Sequence, residues 1–161
     1  LGIFQPRDRK SLNRLKPFFP KGKFEYTDIG IFTKAINGKT FVSAILDESP
    51  AIKAGIKVGD EILSVNNQPY QSVQSFAPKA GQKVTIQIQR TADTSSKQEI
   101  VVTPKVYDAT TMFLDAQRVS TQIIERQNKK IGYVHIWANA ADPSQEKLIY
   151  DLLYDRLKDA Y

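Results

Sequence analysis

The sequence lacks cysteine altogether, contains a single histidine, and has no run of eighteen apolar residues. The missing cysteine excludes disulfides, thiolate metal ligands and cysteine nucleophiles. The missing apolar run predicts no transmembrane segment, and the N-terminus lacks the apolar stretch of a signal peptide. One histidine and scattered carboxylates show no ligand spacing, so we predict no metal and no cofactor.

Positive charge is plentiful but unevenly placed. Residues 1–23 contain seven Lys or Arg against one Asp, which accounts for the whole net charge of +6. A basic arm with Phe4, Phe18 and Phe19 could contact phosphates and stack on bases. No recognised nucleic-acid module accompanies it, so we expect no nucleic-acid partner. We interpret residues 1–25 as a basic extension whose aromatic side chains anchor it to a neighbouring domain.

The stretch from Ser49 to Asn67 predicts a short helix, a glycine break and an apolar strand in close succession. Ser49 can cap the helix, and Pro50 suits the first helical position because no N–H is needed there. Gly55 can adopt the left-handed conformation that ends a helix. Residues 61–65 are then predicted to be a strand.

A hairpin is predicted before this stretch, with strands at 29–35 and 40–46 and Asn37-Gly38 in a tight turn. Residues 72–77 are predicted to be a second short helix, which Pro78 and Gly81 end. Residues 83–89 alternate strictly between apolar and polar side chains, so they predict a half-buried strand with an antiparallel partner at 99–103.

This order of elements in residues 26–105 resembles the PDZ domain as it occurs in bacterial proteases. The resemblance implies a groove between a strand and the second helix, where an extended peptide adds as a further strand. It also implies a loop of pattern Gly-apolar-Gly-apolar whose backbone N–H groups bind the C-terminal carboxylate of the peptide. The implied carboxylate-binding loop is Ile29, Gly30, Ile31 and Phe32, and the implied groove residues are Thr33, Lys34, Val73, Phe76 and Ala77.

Two qualifications apply to this site. Asp28 stands where the first glycine of the loop pattern would be, and a negative side chain there would repel the terminus of a ligand. The apolar residues Ile31, Phe32, Val73 and Phe76, each taken alone, also fit the core of a small domain.

The C-terminal part has a different pattern. Residues 109–117 predict a helix, residues 119–126 a strand, and residues 131–137 a strand that is apolar or aromatic throughout and so expects cover on both faces. Asp142 and Pro143 predict the start of a helix that runs to about Lys158. Its apolar stripe needs a partner surface, so we expect self-association as a homo-oligomer or packing onto the PDZ-like unit. The stripe consists of Leu148, Ile149, Leu152, Leu153 and Leu157.

The strand at 130–136, coming after a PDZ-like unit, resembles the entry into the catalytic domain of the carboxy-terminal processing, or tail-specific, proteases. This family implies endopeptidase cleavage by a serine that a lysine activates, with both residues farther along the chain, and in many bacteria an exported or periplasmic location. We therefore assign no catalytic residue here and expect this chain alone to be inactive. His135, the only histidine, sits in an apolar strand and is interpreted as structural.

The predicted fold class is α+β: a PDZ-like small β-barrel or sandwich with two short helices, then a connecting helix and hairpin, an apolar strand and a C-terminal amphipathic helix. Two functions remain. The first is the substrate-binding, regulatory part of a carboxy-terminal processing serine peptidase, whose partners are the C-terminal tails of protein substrates and a catalytic domain of the same protein. The second is a PDZ interaction module without enzymatic activity.

Overall fold

The computed structural model describes residues 24–109, 111–137 and 143–160. These residues divide into two compact units, one formed by Glu25–Tyr107 and the other by Phe24 with the described part of Asp108–Tyr161. The overall α+β class is the predicted one.

The first unit is built mainly from antiparallel strands. Its main sheet has the order β2-β3-β4-β6-β7, with β5 paired to β4, while β1 pairs with β8 in a separate two-stranded sheet. The strands are β1 (Glu25–Asp28), β2 (Ile31–Ile36), β3 (Lys39–Ile45), β4 (Glu61–Val65), β5 (Gln68–Pro69), β6 (Val84–Gln89), β7 (Lys97–Val102) and β8 (Lys105–Asp108).

The hairpin of β2 and β3 is confirmed, with Ile36 opposite Lys39 across a two-residue turn. Asn37 and Gly38 both have positive φ, 51° and 77°, which is the geometry that matches the twist of the flanking strands. The alternation in β6 is also confirmed, because Val84, Ile86 and Ile88 are all buried in the core while β7 pairs along one side.

A one-turn helix, α1 (Pro50–Lys53), lies between β3 and β4. The Ser49 hydroxyl accepts a hydrogen bond from the N–H of Ile52 at 3.3 Å, and Pro50 occupies the first position, as predicted. Gly55 has a φ of 85°. Ala51 is fully buried, so this short helix packs against the hydrophobic core.

An ion pair with a buried carboxylate joins Asp60, just before β4, to Arg90, just after β6. Arg90 Nε donates to Asp60 Oδ1 at 3.0 Å, and its Nη2 donates to Asp60 Oδ2 at 3.1 Å. The same guanidinium bonds the carbonyl of Gly55 at 3.0 Å, and Asp60 also accepts from the N–H of Lys57. Because the carboxylate of Asp60 is almost completely buried, removing Arg90 would leave an uncompensated charge.

The predicted helix at 72–77 is wrong. These residues form consecutive turns, and Val73 has a φ of 64°, which a right-handed helix cannot contain. The side chain of Phe76 is fully buried in the core. The backbone of this segment therefore forms the turns that bury the ring, and it does not form a helix. A 3₁₀ turn occurs at Thr94–Ser96, between β6 and β7.

The second unit contains α2 (Met112–Ser120), β9 (Gln122–Arg126), β10 (Lys129–Tyr133) and α3 (Pro143–Leu157). The helix α2 begins three residues later than predicted. The following strand therefore begins at Gln122, whereas residue 119 was predicted. Strands β9 and β10 form an antiparallel hairpin, with Gln127 and Asn128 at positive φ in the turn. Within the described residues, no helix is both long and apolar enough to cross a membrane.

The prediction of a strand covered on both faces at 131–137 is wrong. The strand β10 ends at Tyr133, and all five of its residues are exposed. Near Gly132 the side chain of Leu157 approaches closely, so α3 covers one face of the hairpin. The other face exposes Ile124 and its cross-strand neighbour Ile131. The predicted helix cap Asp142 and the side chains of Leu148, Ile149 and Leu152 lie outside what the structure describes.

Gly30 offers a test of how tightly the start of β2 is packed. A Cβ atom there would stand 2.5 Å from Ser49 Cβ and 2.5 Å from Tyr107 Oη, and its φ is +85°. Gly38 has a similar φ, +77°, but nothing within 4 Å of the same position. We expect Gly38→Ala to lower the free energy of unfolding by about 1 kcal/mol through backbone strain alone, and Gly30→Ala by about 3 kcal/mol or more.

Urea denaturation followed by circular dichroism measures both values. Equal losses for the two variants would show that the surroundings of Gly30 relax, and would contradict the close packing described here.

Candidate functional site

The turn between β1 and β2 binds a carboxylate, and that carboxylate belongs to Asp28. Its Oδ1 accepts hydrogen bonds from the N–H groups of Gly30 at 2.7 Å and Ile31 at 3.1 Å. The N–H of Ile29 also hydrogen-bonds to this carboxyl group. Three consecutive backbone donors therefore converge on one anion, as in the concave anion sites that peptide backbones form.

The surrounding scaffold orients these donors. The carbonyl of Ile29 accepts from the N–H of Ala51 at 3.0 Å, and the carbonyl of Gly30 accepts from the N–H of Leu46 at 2.8 Å. Both carbonyls are thus held by α1 and by the residue after β3. The amide N–H groups of the same turn remain for Asp28, and the positive φ of Gly30 allows this reversal.

Asp28 is buried, with only 5% of the residue exposed, which is unusual for an ionisable side chain. Burial raises the pKa of Asp28 to about 6, although the hydrogen bonds from Ile31, Gly30 and Ile29 act in the opposite direction. Burial, and after it the nearby charge of Asp28, also raises the pKa of Tyr26 and of Tyr107. The carboxyl group therefore lies among neutral aromatic side chains.

Tyr107 contributes a further polar atom to this turn. Its hydroxyl is buried and has no hydrogen-bond partner among the described residues. It lies against Gly30, while the ring stacks on Tyr26 at a centroid distance of 6.0 Å. A buried hydroxyl without a partner is costly, so it marks a place where an additional acceptor would be favourable.

Strand β2 leads away from this turn along an open edge. It is the terminal strand of the main sheet and has no strand on its other side in the part of the chain that the structure describes. Because Ile36 and Lys39 flank a two-residue turn, Lys34 also bonds towards β3. The N–H and C=O groups of Thr33 and Ala35 then point to the open edge, where another strand could pair.

The segment after β5 lies beside β2. The pKa of Tyr70 is raised by burial, while hydrogen bonds to the side chains of Thr33 and Ser72 oppose the shift. These bonds connect the segment to β2. Val73 is 43% exposed and Ala77 is also exposed, whereas Phe76 contacts Tyr70 from within the core.

The structure thus divides the residues predicted for the site into three groups. Ile29, Ile31 and Phe76 are buried members of the hydrophobic core. Phe32 and Thr33 are half-buried at the start of β2, and the exposed positions are Lys34, Val73 and Ala77. Whether these residues contact a peptide stays a prediction.

Sequence reasoning missed the role of two residues, Tyr70 and Tyr107, since their participation depends on contacts distant in the chain. It placed Asp28 at the first glycine position of the loop pattern and expected its charge to repel a ligand, but it did not predict that this carboxylate accepts hydrogen bonds from the loop. A signal was present, because an Asp two residues before a Gly favours a turn in which the carboxylate accepts backbone hydrogen bonds.

In the second unit, His135 has a structural setting. Its backbone N–H donates to Ser120 Oγ at 2.9 Å, and its ring lies 4.3 Å from that of Trp137 between centroids. In residues 24–109, 111–137 and 143–160, no three His, Cys, Asp or Glu side chains form a group that could hold a metal ion.

Comparison with known families identifies the class of the first unit. Residues 27–101 match the family model described as PDZ domain. This stretch of the chain is a PDZ domain, and the fold expected from the sequence is confirmed. Among curated proteins, none matches the chain.

Three of the solved structures that are similar to this chain have titles that name a protease. The HtrA-type protease AlgW with decapeptide is 19% identical with a TM-score of 0.47, and the match covers 62% of this chain and 35% of that one. The photosystem II D1 C-terminal processing protease is 19% identical with a TM-score of 0.44, covering 51% and 23%. The PDZ domain of a carboxy-terminal protease from Vibrio cholerae, in complex with peptide, is 15% identical with a TM-score of 0.43, covering 52% and 97%.

The raised pKa of Asp28 predicts a pH-dependent stability. Because it lies above the ordinary value of 3.8, the folded protein binds this proton more tightly than the unfolded chain does. Stability from protonated Asp28 is therefore present below about pH 4 and lost as the pH rises towards 6. Relative to Asp28→Asn, we expect the wild type to lose about 2 kcal/mol of unfolding free energy between pH 4 and pH 7.

Urea denaturation of both proteins at several pH values measures this difference, and the Asn variant removes the contribution of all other titrating groups. A constant difference across the range would mean that Asp28 titrates normally.

Proposed function

We propose that this chain is the substrate-binding, regulatory part of a carboxy-terminal processing serine peptidase, and that its PDZ domain binds the C-terminal tails of protein substrates. The observation that carries this proposal is that a carboxylate-binding turn and an open strand edge are adjacent in the chain. A turn whose N–H groups hold a carboxylate leads directly into β2, whose outer edge is open. A C-terminal tail has the matching features, a terminal carboxylate followed by an extended backbone.

The tail adds as a further strand to β2 in this proposal. Main-chain hydrogen bonds to Thr33 and Ala35 supply affinity that is independent of sequence, and side-chain pockets supply selectivity. In this proposal the side chains of Val73, Ala77 and Lys34, which are exposed, contact the residues of the tail. The turn at Ile29, Gly30 and Ile31 binds the terminal carboxylate when Asp28 is not in it.

The peptidase part of the proposal rests on the order of the chain. A PDZ domain is followed by a helix and by the Ile131-Gly132-Tyr133 strand that resembles the entry into a tail-specific catalytic domain. The catalytic serine and lysine belong to a domain outside this chain, so the chain supplies binding and not chemistry. An exported or periplasmic location accompanies this proposal.

A PDZ interaction module without enzymatic activity is the second candidate. The observation that favours it is the exposed apolar face of the β9–β10 hairpin, which presents Ile124, Ile131 and Tyr133. Such a face is typical of a docking surface. An assay with a protein substrate that ends in an apolar tail separates the two candidates. Hydrolysis by the natural protein would support the peptidase, and binding without hydrolysis would support the interaction module.

Strand addition can be tested with modified peptides rather than altered protein. A hexapeptide with an apolar C-terminus is prepared with a single N-methyl group at each position in turn. We expect methylation at alternate positions to weaken binding about fivefold. Each of those N–H groups would donate a hydrogen bond to a carbonyl of β2, and one such bond contributes about 1 kcal/mol to the binding free energy. Methylation at the intervening positions should change binding little.

Isothermal titration calorimetry measures the affinities, and amide shifts of Thr33 and Ala35 locate the peptide. Equal effects at every position, or no period of two, would contradict pairing with β2.

A further inference from the structure

The N–H groups that would bind the C-terminus of a peptide are already bound. Asp28 takes the donors of Gly30 and Ile31 at 2.7 and 3.1 Å, and that of Ile29 as well. Each N–H donates one strong hydrogen bond, so the turn can satisfy one carboxylate. Ser49 and Tyr107 also pack closely against Gly30, where a Cβ atom would stand 2.5 Å from each of them.

We propose that Asp28 is a built-in occupant of the carboxylate site, which the C-terminus of a peptide must displace, so that free C-termini bind more tightly once Asp28 has taken up a proton. This inference rests on the proposed function and adds a specificity-determining residue to it. At neutral pH the domain favours ligands that pair with β2 without a terminal carboxylate, such as internal segments or blocked termini. At mildly acidic pH it accepts free C-termini.

Charge explains why a proton changes the outcome. An ionised Asp28 and an ionised C-terminus in one turn would repel each other, and two carboxylates sharing a site do not both stay ionised. A protonated Asp28 is a weaker acceptor for the three N–H groups and carries no charge, so a peptide carboxylate can replace it. The proton comes from solvent and stays on Asp28, while the peptide carboxylate remains ionised.

The described groups near Asp28 include three tyrosines, a serine and a lysine. Tyr26 faces it from β1, Tyr107 from β8 and Tyr70 from the segment after β5, and burial raises the pKa of all three above 10. Ser49 contributes a neutral hydroxyl near the turn. Lys105 holds its Nζ atom 4.7 Å from the centroid of the Tyr107 ring.

The unpaired hydroxyl of Tyr107 is an independent indication that the turn has a second occupied state. This hydroxyl is buried, lies beside Gly30, and has no acceptor among the described residues while Asp28 fills the turn. A peptide carboxylate has two oxygens with several lone pairs. It could therefore accept from the backbone donors and from Tyr107 together.

The alternative is that Asp28 has a purely structural role and only stabilises a turn. Asp93 in the same chain has this role. Asp93 accepts the N–H of Ser95 at 2.9 Å, the same two-residue spacing as Asp28 and Gly30. Its side chain is exposed, and hydrogen bonds with Ser95 lower its pKa. Asp93→Asn removes the same charge from the same type of turn away from β2, so it is the matched control.

The experiment measures binding of one hexapeptide, with an apolar C-terminus and no titratable side chain, in its free and amidated forms. The 161-residue chain is used as wild type, Asp28→Asn, Asp28→Gly and Asp93→Asn, at pH 7.5 and pH 5.5. For the wild type we expect the free form to bind about tenfold more tightly at pH 5.5, and the amidated form equally at both. Both Asp28 variants should bind the free form tightly at pH 7.5 and lose the pH dependence, and Asp93→Asn should match the wild type.

The proposal is overturned if wild type and Asp28→Asn bind the free peptide equally at pH 7.5, or if Asp93→Asn shifts binding as much. If the Asp28 variants do not fold, the wild-type comparison of free and amidated peptides across pH decides alone. Binding of the amidated peptide without any pH effect on the free one overturns this inference and leaves the proposed function standing. No binding of either form by any folded protein overturns both.

Discussion

A buried carboxylate held by three backbone N–H groups fixes the point where the PDZ domain begins. Asp28 ends β1, and its hydrogen bonds to Gly30 and Ile31 turn the chain into β2. The carbonyls of the same turn are bound to Ala51 and Leu46, so the turn also positions α1 and the end of β3. The hairpin, the short helix and the open edge of β2 therefore depend on one compact arrangement of backbone dipoles around one anion.

This arrangement has an energetic cost that the fold tolerates. A buried carboxyl group is disfavoured in its charged form, and even the hydrogen bonds from the backbone do not bring the pKa of Asp28 down to the ordinary range. The ion pair of Asp60 and Arg90 is different, because there a second charge and further hydrogen bonds compensate burial. Among the described residues, no Lys or Arg forms such an ion pair with Asp28. Ionisable groups whose pKa is shifted by burial, as that of Asp28 is, occur often at functional sites.

The sequence predicted those elements of the fold that local chemistry determines. Asn37-Gly38 specified the hairpin turn, Ser49 and Pro50 specified the start of α1, and the alternation around Ile86 specified β6. The predicted helix at 72–77 failed because burial of Phe76 and the left-handed backbone of Val73 are tertiary effects. The C-terminal strand failed similarly, since apolar composition at 131–137 indicated burial, whereas the hairpin leaves Ile131 50% exposed. For the site, the loop residues could be named, but the occupancy of their N–H groups required coordinates.

The carbon-13 shift of the Asp28 carboxyl group, followed by NMR from pH 4 to pH 8 with and without peptide, tests the central claim most directly. The account predicts a midpoint near 6 for the free protein, which rises when a peptide with a free C-terminus saturates the site and does not rise with the amidated form. A midpoint near 3.8 that no peptide shifts would contradict it, because Asp28 would then be an ordinary turn residue.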